Sequence, residues 1–318
     1  MNITDSVHHC FAITGKKHIF EHQKEVTMTK RQQLKGQILN LIEDNRPNSI
    51  PQHLLISGRE GTGKTYMTEE LDSMLTARGY RVVKFLYPHC GIVTADDIIA
   101  KVGMPNGQDT IILIDDFDKM LQSLPNDEQF RLRAYIFKKN APMLIATSTG
   151  LYEGFSDYHA PLYDAFRVLH FPSLENEDFE DVLPKEVYDR IKDNDAFFSM
   201  AIKLDDNINY IRSLAIAMYQ GQNVEEAIQT VVSENCRYFR LLFDNLSGVL
   251  QRALYGLAHS GEVAQSIDVQ HQSGLSGANT ASALFRLENQ GFIIRVGDKK
   301  RNVSYKIKDT ILKAWLIR

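Results

Sequence analysis

Five short apolar runs punctuate the first half of the chain, at residues 53–57, 81–86, 110–114, 143–147 and 168–171, each closed by polar or turn residues. Runs this short and continuously apolar predict strands buried on both faces, and the longer amphipathic stretches between most of them predict helices. Strands alternating with helices imply a parallel sheet covered on both sides, an α/β doubly wound unit over residues 1–172. Ahead of the first strand, Leu34, Ile38, Leu39, Leu41 and Ile42 recur largely on one helical face. After Pro172 the strand pattern stops, and residues 173–245 read as successive amphipathic helices, such as AFFSMAIKL and INYIRSLAIAMYQ. From 246 to 318 a third pattern takes over: a helix at 249–259, a shorter one near 263–270, the turn SGLSGANT, and a helix at 281–290. Strands at 292–296 and 303–307, joined across Gly297, close it. Three helices and a β-hairpin predict a winged helix.

Composition narrows the picture only a little. At 318 residues, 43% hydrophobic and 24% charged, the chain has material for real cores, so disorder is not the expectation. Cys10, Cys90 and Cys236 are far apart and form no CxxC pair, which argues against zinc or a disulfide framework and for a reducing compartment. No apolar run approaches the ~18–20 residues that span a bilayer, and no secretory signal pattern opens the chain. A cytoplasmic protein without a membrane partner is expected. The net charge of −4 is uninformative, but its distribution is not. Residues 277–318 hold nine Lys or Arg against three acids, an excess of six that leaves −10 on the remainder.

The chemistry is concentrated after the first strand. Gly58, Arg59, Glu60, Gly61, Thr62, Gly63, Lys64 and Thr65, followed by Tyr66, match GxxxxGK[ST] with an apolar strand before and a helical pattern after. Glycines let such a loop wrap closely, so that backbone N–H groups face phosphates. Lys64 adds charge at the β/γ oxygens and Thr65 a hydroxyl for Mg²⁺. Next, the apolar run at 111–114 ends in Asp115 and Asp116. Asp115 is the candidate for the metal shell. Asp116 is the candidate to polarise an attacking water, the alternative being that both acids merely cap the helix that follows. Ser148 or Thr147, ending the fourth run, are candidates to bind the water or γ-phosphate. Trp315 and the pair Phe197 and Phe198 read as core.

With these pieces placed, the sequence resembles the AAA+/STAND class of P-loop ATPases from about Lys30 to Arg318. More narrowly, it is similar to prokaryotic ATPases in which an AAA+ core precedes a winged helix, including the archaeal-type ATPase family and the origin-recognition initiators. Asp115-Asp116-Phe117-Asp118-Lys119 resembles the acidic Walker B segment, with Asp116 where the family usually has Glu. Pro161-Leu162-Tyr163-Asp164-Ala165-Phe166-Arg167, running on to Phe171-Pro172, resembles a family segment whose arginine would be Arg167; Asp164 stands for the usual Gly. Asn209-Tyr210-Ile211-Arg212 resembles the sensor-2 helix, which implies that Arg212 reaches the γ-phosphate. Leu284 to Ile293 resembles the end of a recognition helix, and Ser304-Tyr305-Lys306-Ile307 a wing followed by Trp315. Arg31 stands where an adenine-side N-terminal motif would lie. The resemblance implies sheet order 5-1-4-3-2 and a nucleotide between the α/β unit and a helical lid.

The expectation is therefore a Mg²⁺-dependent ATPase that binds ATP and ADP, of low turnover because Asp116 is one methylene shorter than Glu. The basic C-terminal module is the footprint expected for double-stranded DNA, with Arg286, Lys299, Lys300 and Arg301 as contacts. The alternative is a signalling ATPase whose winged helix packs against protein. A homo-oligomer or a protein partner fits either.

Overall fold

The computed structural model describes residues 28–46, 48, 50–91, 94–103, 109–150, 155, 157–297 and 303–318. Lys299, Lys300 and Arg301 therefore lie outside the described residues.

Helix α1 (Lys30–Asn45) begins where Thr29 and Gln32 form a reciprocal capping box, which satisfies the first free N–H groups. Strands β1 (His53–Ser57), β2 (Arg81–Leu86), β3 (Thr110–Asp115), β4 (Met143–Ser148) and β5 (Phe166–His170) form one parallel sheet in the order β2-β3-β4-β1-β5. That is the order 5-1-4-3-2 implied by the resemblance. Helices α2 (Lys64–Ala77), α3 (Ala95–Val102), α4 (Phe117–Ser123) and α5 (Asn126–Ile136) lie between the strands. The central strands β1, β3 and β4 are buried almost throughout because both faces are covered, whereas the edge strands β2 and β5 carry exposed polar positions. Leu54, Ile56, Ile111 and Leu113 pack with Leu34, Ile38 and Leu71 of α1 and α2. Leu55, Ile112 and Ile114 point the other way, onto Phe117, Leu132 and Ile136 of α4 and α5. This is the two-residue alternation of a pleated strand serving two cores. β5 starts at Phe166, two residues ahead of the expected run.

Beyond β5 come α6 (Phe179–Val182), α7 (Lys185–Ile191), α8 (Asp195–Ala201), α9 (Ile208–Tyr219), α10 (Val224–Asp244) and α11 (Gly248–His259). The C-terminal elements are β6 (Ala264–Gln265), α12 (Ser266–Ser273), α13 (Gly277–Asn289), β7 (Ile293–Val296), β8 (Ser304–Ile307) and α14 (Thr310–Ile317). The three strands pair antiparallel in the order β6-β8-β7. Two expectations need correction here. The stretch expected as a helix near 263–270 opens as the two-residue strand β6, too short to leave a periodic signature. α13 starts at Gly277, inside the expected turn, because the Ser276 side chain accepts the Asn279 N–H and caps a helix through Gly-Ala-Asn-Thr. A single apolar core runs from Phe179 through Leu214, Val231, Phe239 and Leu254 to Leu284, Ile311 and Leu316. It crosses the expected boundary at 245/246 without a break, and it contains Phe197, with Phe198 and Trp315 packed against it.

Candidate nucleotide site

The glycines of the loop between β1 and α2 are packed closely against Phe171, Asn207 and Ile208. Gly61 and Gly63 sit at φ +78° and +97°, a region that a side chain strains. A Cβ on Gly63 would come within 2.6 Å of Ile208 Cδ1, so α9 presses directly on the loop. The Ile208 N–H also donates to the Gly61 carbonyl at 2.8 Å. Gly63 occupies the N-cap position of α2 and no side chain caps that helix, which leaves its first-turn N–H groups directed at the loop mouth. Lys64 is buried, and its Nζ donates back to the Gly58 carbonyl at 2.8 Å and the Arg59 carbonyl at 2.6 Å. Burial pulls its pKa below the ordinary lysine value, against the opposing pull of Asp116, Asp115 and Asp118.

Opposite the loop, β3 delivers Asp115 at its tip, 5% exposed. Its Oδ2 accepts the Thr65 hydroxyl at 2.6 Å, and its Oδ1 accepts the Thr147 hydroxyl. Asp116 takes the left-handed conformation, φ 52° and ψ 45°, which Asp tolerates better than most residues. Its N–H donates to Thr147 Oγ1 at 3.0 Å. Its carboxylate does not cap α4, so the capping alternative is not what this side chain does. Instead its Oδ2 meets Lys119 Nζ at 3.1 Å, and the same ammonium reaches Glu60 Oε1 at 3.3 Å. Asp118, also buried, accepts the Thr149 N–H at 3.2 Å and the Thr149 hydroxyl at 2.5 Å.

Of these groups Glu60, Lys64, Thr65, Asp116 and Thr149 line a cleft of about 560 Å³ between the sheet, α1 and α9. Arg31 stands at its far wall, its guanidinium over the Phe171 ring at 4.7 Å and Nη1 donating to the Thr62 carbonyl at 2.8 Å. Nε is 3.9 Å from Asp178, and neither Nε nor Nη2 has a hydrogen-bond partner among the described residues. Burial lowers the Arg31 pKa, with Asp178 opposing.

No protein-family model matches the sequence, and no curated protein matches it either. Solved structures do match in fold. The chain is similar to the Aeropyrum pernix ORC2 protein in its ADP form, at 11% identity and a TM-score of 0.50, over 94% of this chain and 97% of that one. The fold is of the AAA+ type. The Aeropyrum pernix ORC1 protein in complex with DNA matches at 12% identity and a TM-score of 0.49, over 91% of this chain and 92% of that one. A Thermotoga maritima RuvB mutant matches at 15% and 0.47, over 90% and 95%.

In this AAA+ fold the candidate residues separate clearly. Glu60, Gly61, Gly63, Lys64, Thr65, Tyr66, Asp116 and Arg212 line the main cleft. Gly58, Arg59 and Thr62 border an adjoining one of about 280 Å³, and Arg59 is tied to Asp205 at 2.8 Å. Arg212 Nε donates to the Val182 carbonyl at 2.7 Å, which holds the side chain at the cleft wall. Ser148 lines neither cleft: it is fully buried and its hydroxyl donates to the Gly150 carbonyl. Side chains alternate along β4, so Thr147 and Thr149 share the side that meets the acids and Ser148 faces away. Thr149, and not Ser148, lines the main cleft. Arg167 is exposed on the edge strand β5, paired in register with Leu54, three residues short of the tip where Ser57 meets His170. At ~3.3 Å per residue it stands about 10 Å back from the cleft of its own chain.

Thr149 was not singled out from the sequence; Arg31 was placed only by the resemblance, and Asp118 and Lys119 were read as part of the acidic segment without a role of their own. Lys119 had a signal, since a cation three residues after an acid on a helix reaches it. Thr149 had one in its parity with Thr147. In the C-terminal module, Arg286 is exposed without an ion-pair partner among the described residues. Three other cations counted toward the basic excess are already paired: Arg295 with Glu288 at 2.7 Å, and Lys306 and Lys313 with Glu262 at 2.8 and 3.1 Å. Glu262 lies outside the span over which that charge was counted, so the excess overstates the free charge. No helix among the described residues is long and apolar enough to cross a membrane.

Proposed function

We propose that the chain is a Mg²⁺-dependent ATPase of low turnover whose nucleotide state acts as a switch on a C-terminal winged helix. The observation that carries this reading is the 2.6 Å contact between Thr65 and Asp115, at the foot of a glycine loop that holds Lys64 buried over its own carbonyls. The donor set fits Mg²⁺. Asp115 and Thr65 bring two hard oxygens together and would hold such a cation, which usually keeps water and substrate oxygens rather than a full protein cage. When bound, it neutralises charge on the β- and γ-phosphates.

The chain's own groups do the rest. Lys64 and the α2 N-terminus hold the phosphates, and Arg212 approaches them from α9. Asp116 takes the proton of a water that attacks the γ-phosphorus as the bond to the β-phosphate oxygen breaks, giving ADP and phosphate. An Asp in place of Glu shortens the reach by one methylene, at most ~1.5 Å, hence turnover below about 1 per second. Arg167, exposed on the sheet edge, would serve a neighbouring copy's nucleotide, and turnover rising with protein concentration tests that role. A fluorescent ATP derivative titrated against wild type and Lys64→Ala tests the core reading; equal affinity for both would refute it.

For the switch's partner we propose double-stranded DNA, supported by the charge of the C-terminal module and by the exposed Arg286, which has no ion-pair partner among the described residues. Steep loss of affinity with salt is then expected, weakened by charge reversal at Lys299, Lys300 and Arg301. One observation favours a second reading. The exposed face of α13 carries Ala278, Ala281, Ser282 and Phe285, small and apolar side chains that suit a protein surface better than base edges. DNA binding indifferent to salt, to ATP and to Lys64→Ala would leave that reading standing.

A further inference from the structure

The bridge from Glu60 to Lys119 to Asp116 is not accounted for by nucleotide binding. Lys119 lies one helical turn after Asp116 on α4, a helix anchored by Phe117, Met120 and Leu121, all fully buried. Its ammonium sits 3.1 Å from Asp116 Oδ2 and 3.3 Å from Glu60 Oε1. Asp116 and Glu60 line the main cleft, and Lys119 does not. It therefore stands behind the carboxylate. Only Oδ2 of Asp116 is engaged; among the described residues Oδ1 accepts no hydrogen bond.

We infer that Lys119 is the positioning residue for Asp116, the third member of a water–carboxylate–ammonium arrangement. A general base works best when one atom is free to take the proton and the other is held by an orienting group. Lys119 holds Oδ2, and the anchored α4 fixes where it does so. The left-handed backbone of Asp116 and its N–H bond to Thr147 fix the other end of the side chain. Glu60, on the phosphate loop, steadies the ammonium from the far side. Because Asp is a short side chain, a swing about its two side-chain torsions takes Oδ1 out of reach of the water. Orientation by Lys119 offsets that loss. The inference rests on Asp116 acting as the base in the proposed ATPase.

The test uses the full chain and the variants Lys119→Met, Lys119→Arg and Asp116→Asn, with steady-state ATP hydrolysis and titration of a fluorescent ATP derivative. Lys119 is 38% exposed, so Lys119→Met is expected to fold, and thermal unfolding checks that it does. The expected result is a split: kcat falls about tenfold in Lys119→Met, the scale of losing an orienting contact, while KM and nucleotide affinity stay within about twofold. Lys119→Arg, which keeps a cation within reach, recovers most of the loss. An unchanged or raised kcat overturns the inference, as does a raised KM at constant kcat, which would make Lys119 a phosphate contact. The underlying reading fails differently: wild type without turnover, or Asp116→Asn as active as wild type, removes Asp116 as the base and the inference with it.

Discussion

Lowering the pH from 7 to 4 should destabilise this protein through one buried imidazole. His53 opens β1 and is completely buried, with its ring edge-on to Phe137 at 5.5 Å. Its Nδ1 accepts the Leu144 N–H at 3.1 Å, and its Nε2 lies 3.2 Å from the Ile136 carbonyl. Those two contacts specify the neutral ring with the proton on Nε2, because a second proton on Nδ1 would point at the Leu144 N–H. Burial accordingly pushes the pKa from the ordinary 6.5 down to about 4, against a smaller upward pull from the Ile136 carbonyl. A folded-state pKa below the unfolded one means that the unfolded chain binds more protons between the two values. Stability is thus fully present above about pH 6.5 and is lost as pH falls toward 4. At ~1.4 kcal/mol per pH unit the gap is worth about 3 kcal/mol, a large share of a typical domain's stability. Urea unfolding of wild type and His53→Phe at half-unit steps from pH 4 to 8 isolates this contribution. The variant is less stable at pH 8, having lost both hydrogen bonds, but its stability should fall less steeply below pH 6.5. Parallel curves, or an NMR titration of His53 near 6.5, would refute the reasoning.

Three further outcomes follow from the same geometry. Gly63→Ala forces a Cβ to 2.6 Å from Ile208 at φ +97°, so nucleotide affinity should fall at least tenfold, with about 1–3 kcal/mol of stability, read by titration and thermal unfolding. Asp116→Glu, which restores the residue usual in the resembled family, places a longer side chain on a left-handed backbone; it should cost roughly 1 kcal/mol in thermal unfolding and break the Lys119 pairing, so turnover should not rise. Phe239→Ala empties a site at the centre of the core shared by the helical segment and the C-terminal module, costing about 3–5 kcal/mol. Both parts should then lose hydrogen-exchange protection together, whereas loss confined to one would show that they hold separate cores.

Much of the site was legible from local spacing. The turn-forming glycines, Lys64 and Thr65 lie within eight residues between a strand and a helix, and the acids follow directly on an apolar run, so each piece carries its own context. The buried face of α1 and the five parallel strands were equally legible, because period and apolar content are set over a few residues. What only the tertiary structure decided is which of these pieces meet. Thr149 rather than Ser148 faces the acids because β4 lies between β1 and β3 with one particular side turned to Asp115. Arg31 is buried because α1 brings it against Phe171 and Asp178, residues about 140 positions away. The basic excess at the C-terminus dwindles because Glu262 folds back onto Lys306 and Lys313. Likewise, the loop acid Glu60 reaches Lys119 across 59 residues, a contact that no local spacing shows. Local pattern determines an element and its buried face; contacts between elements depend on how several cores pack at once, and no window of sequence contains that.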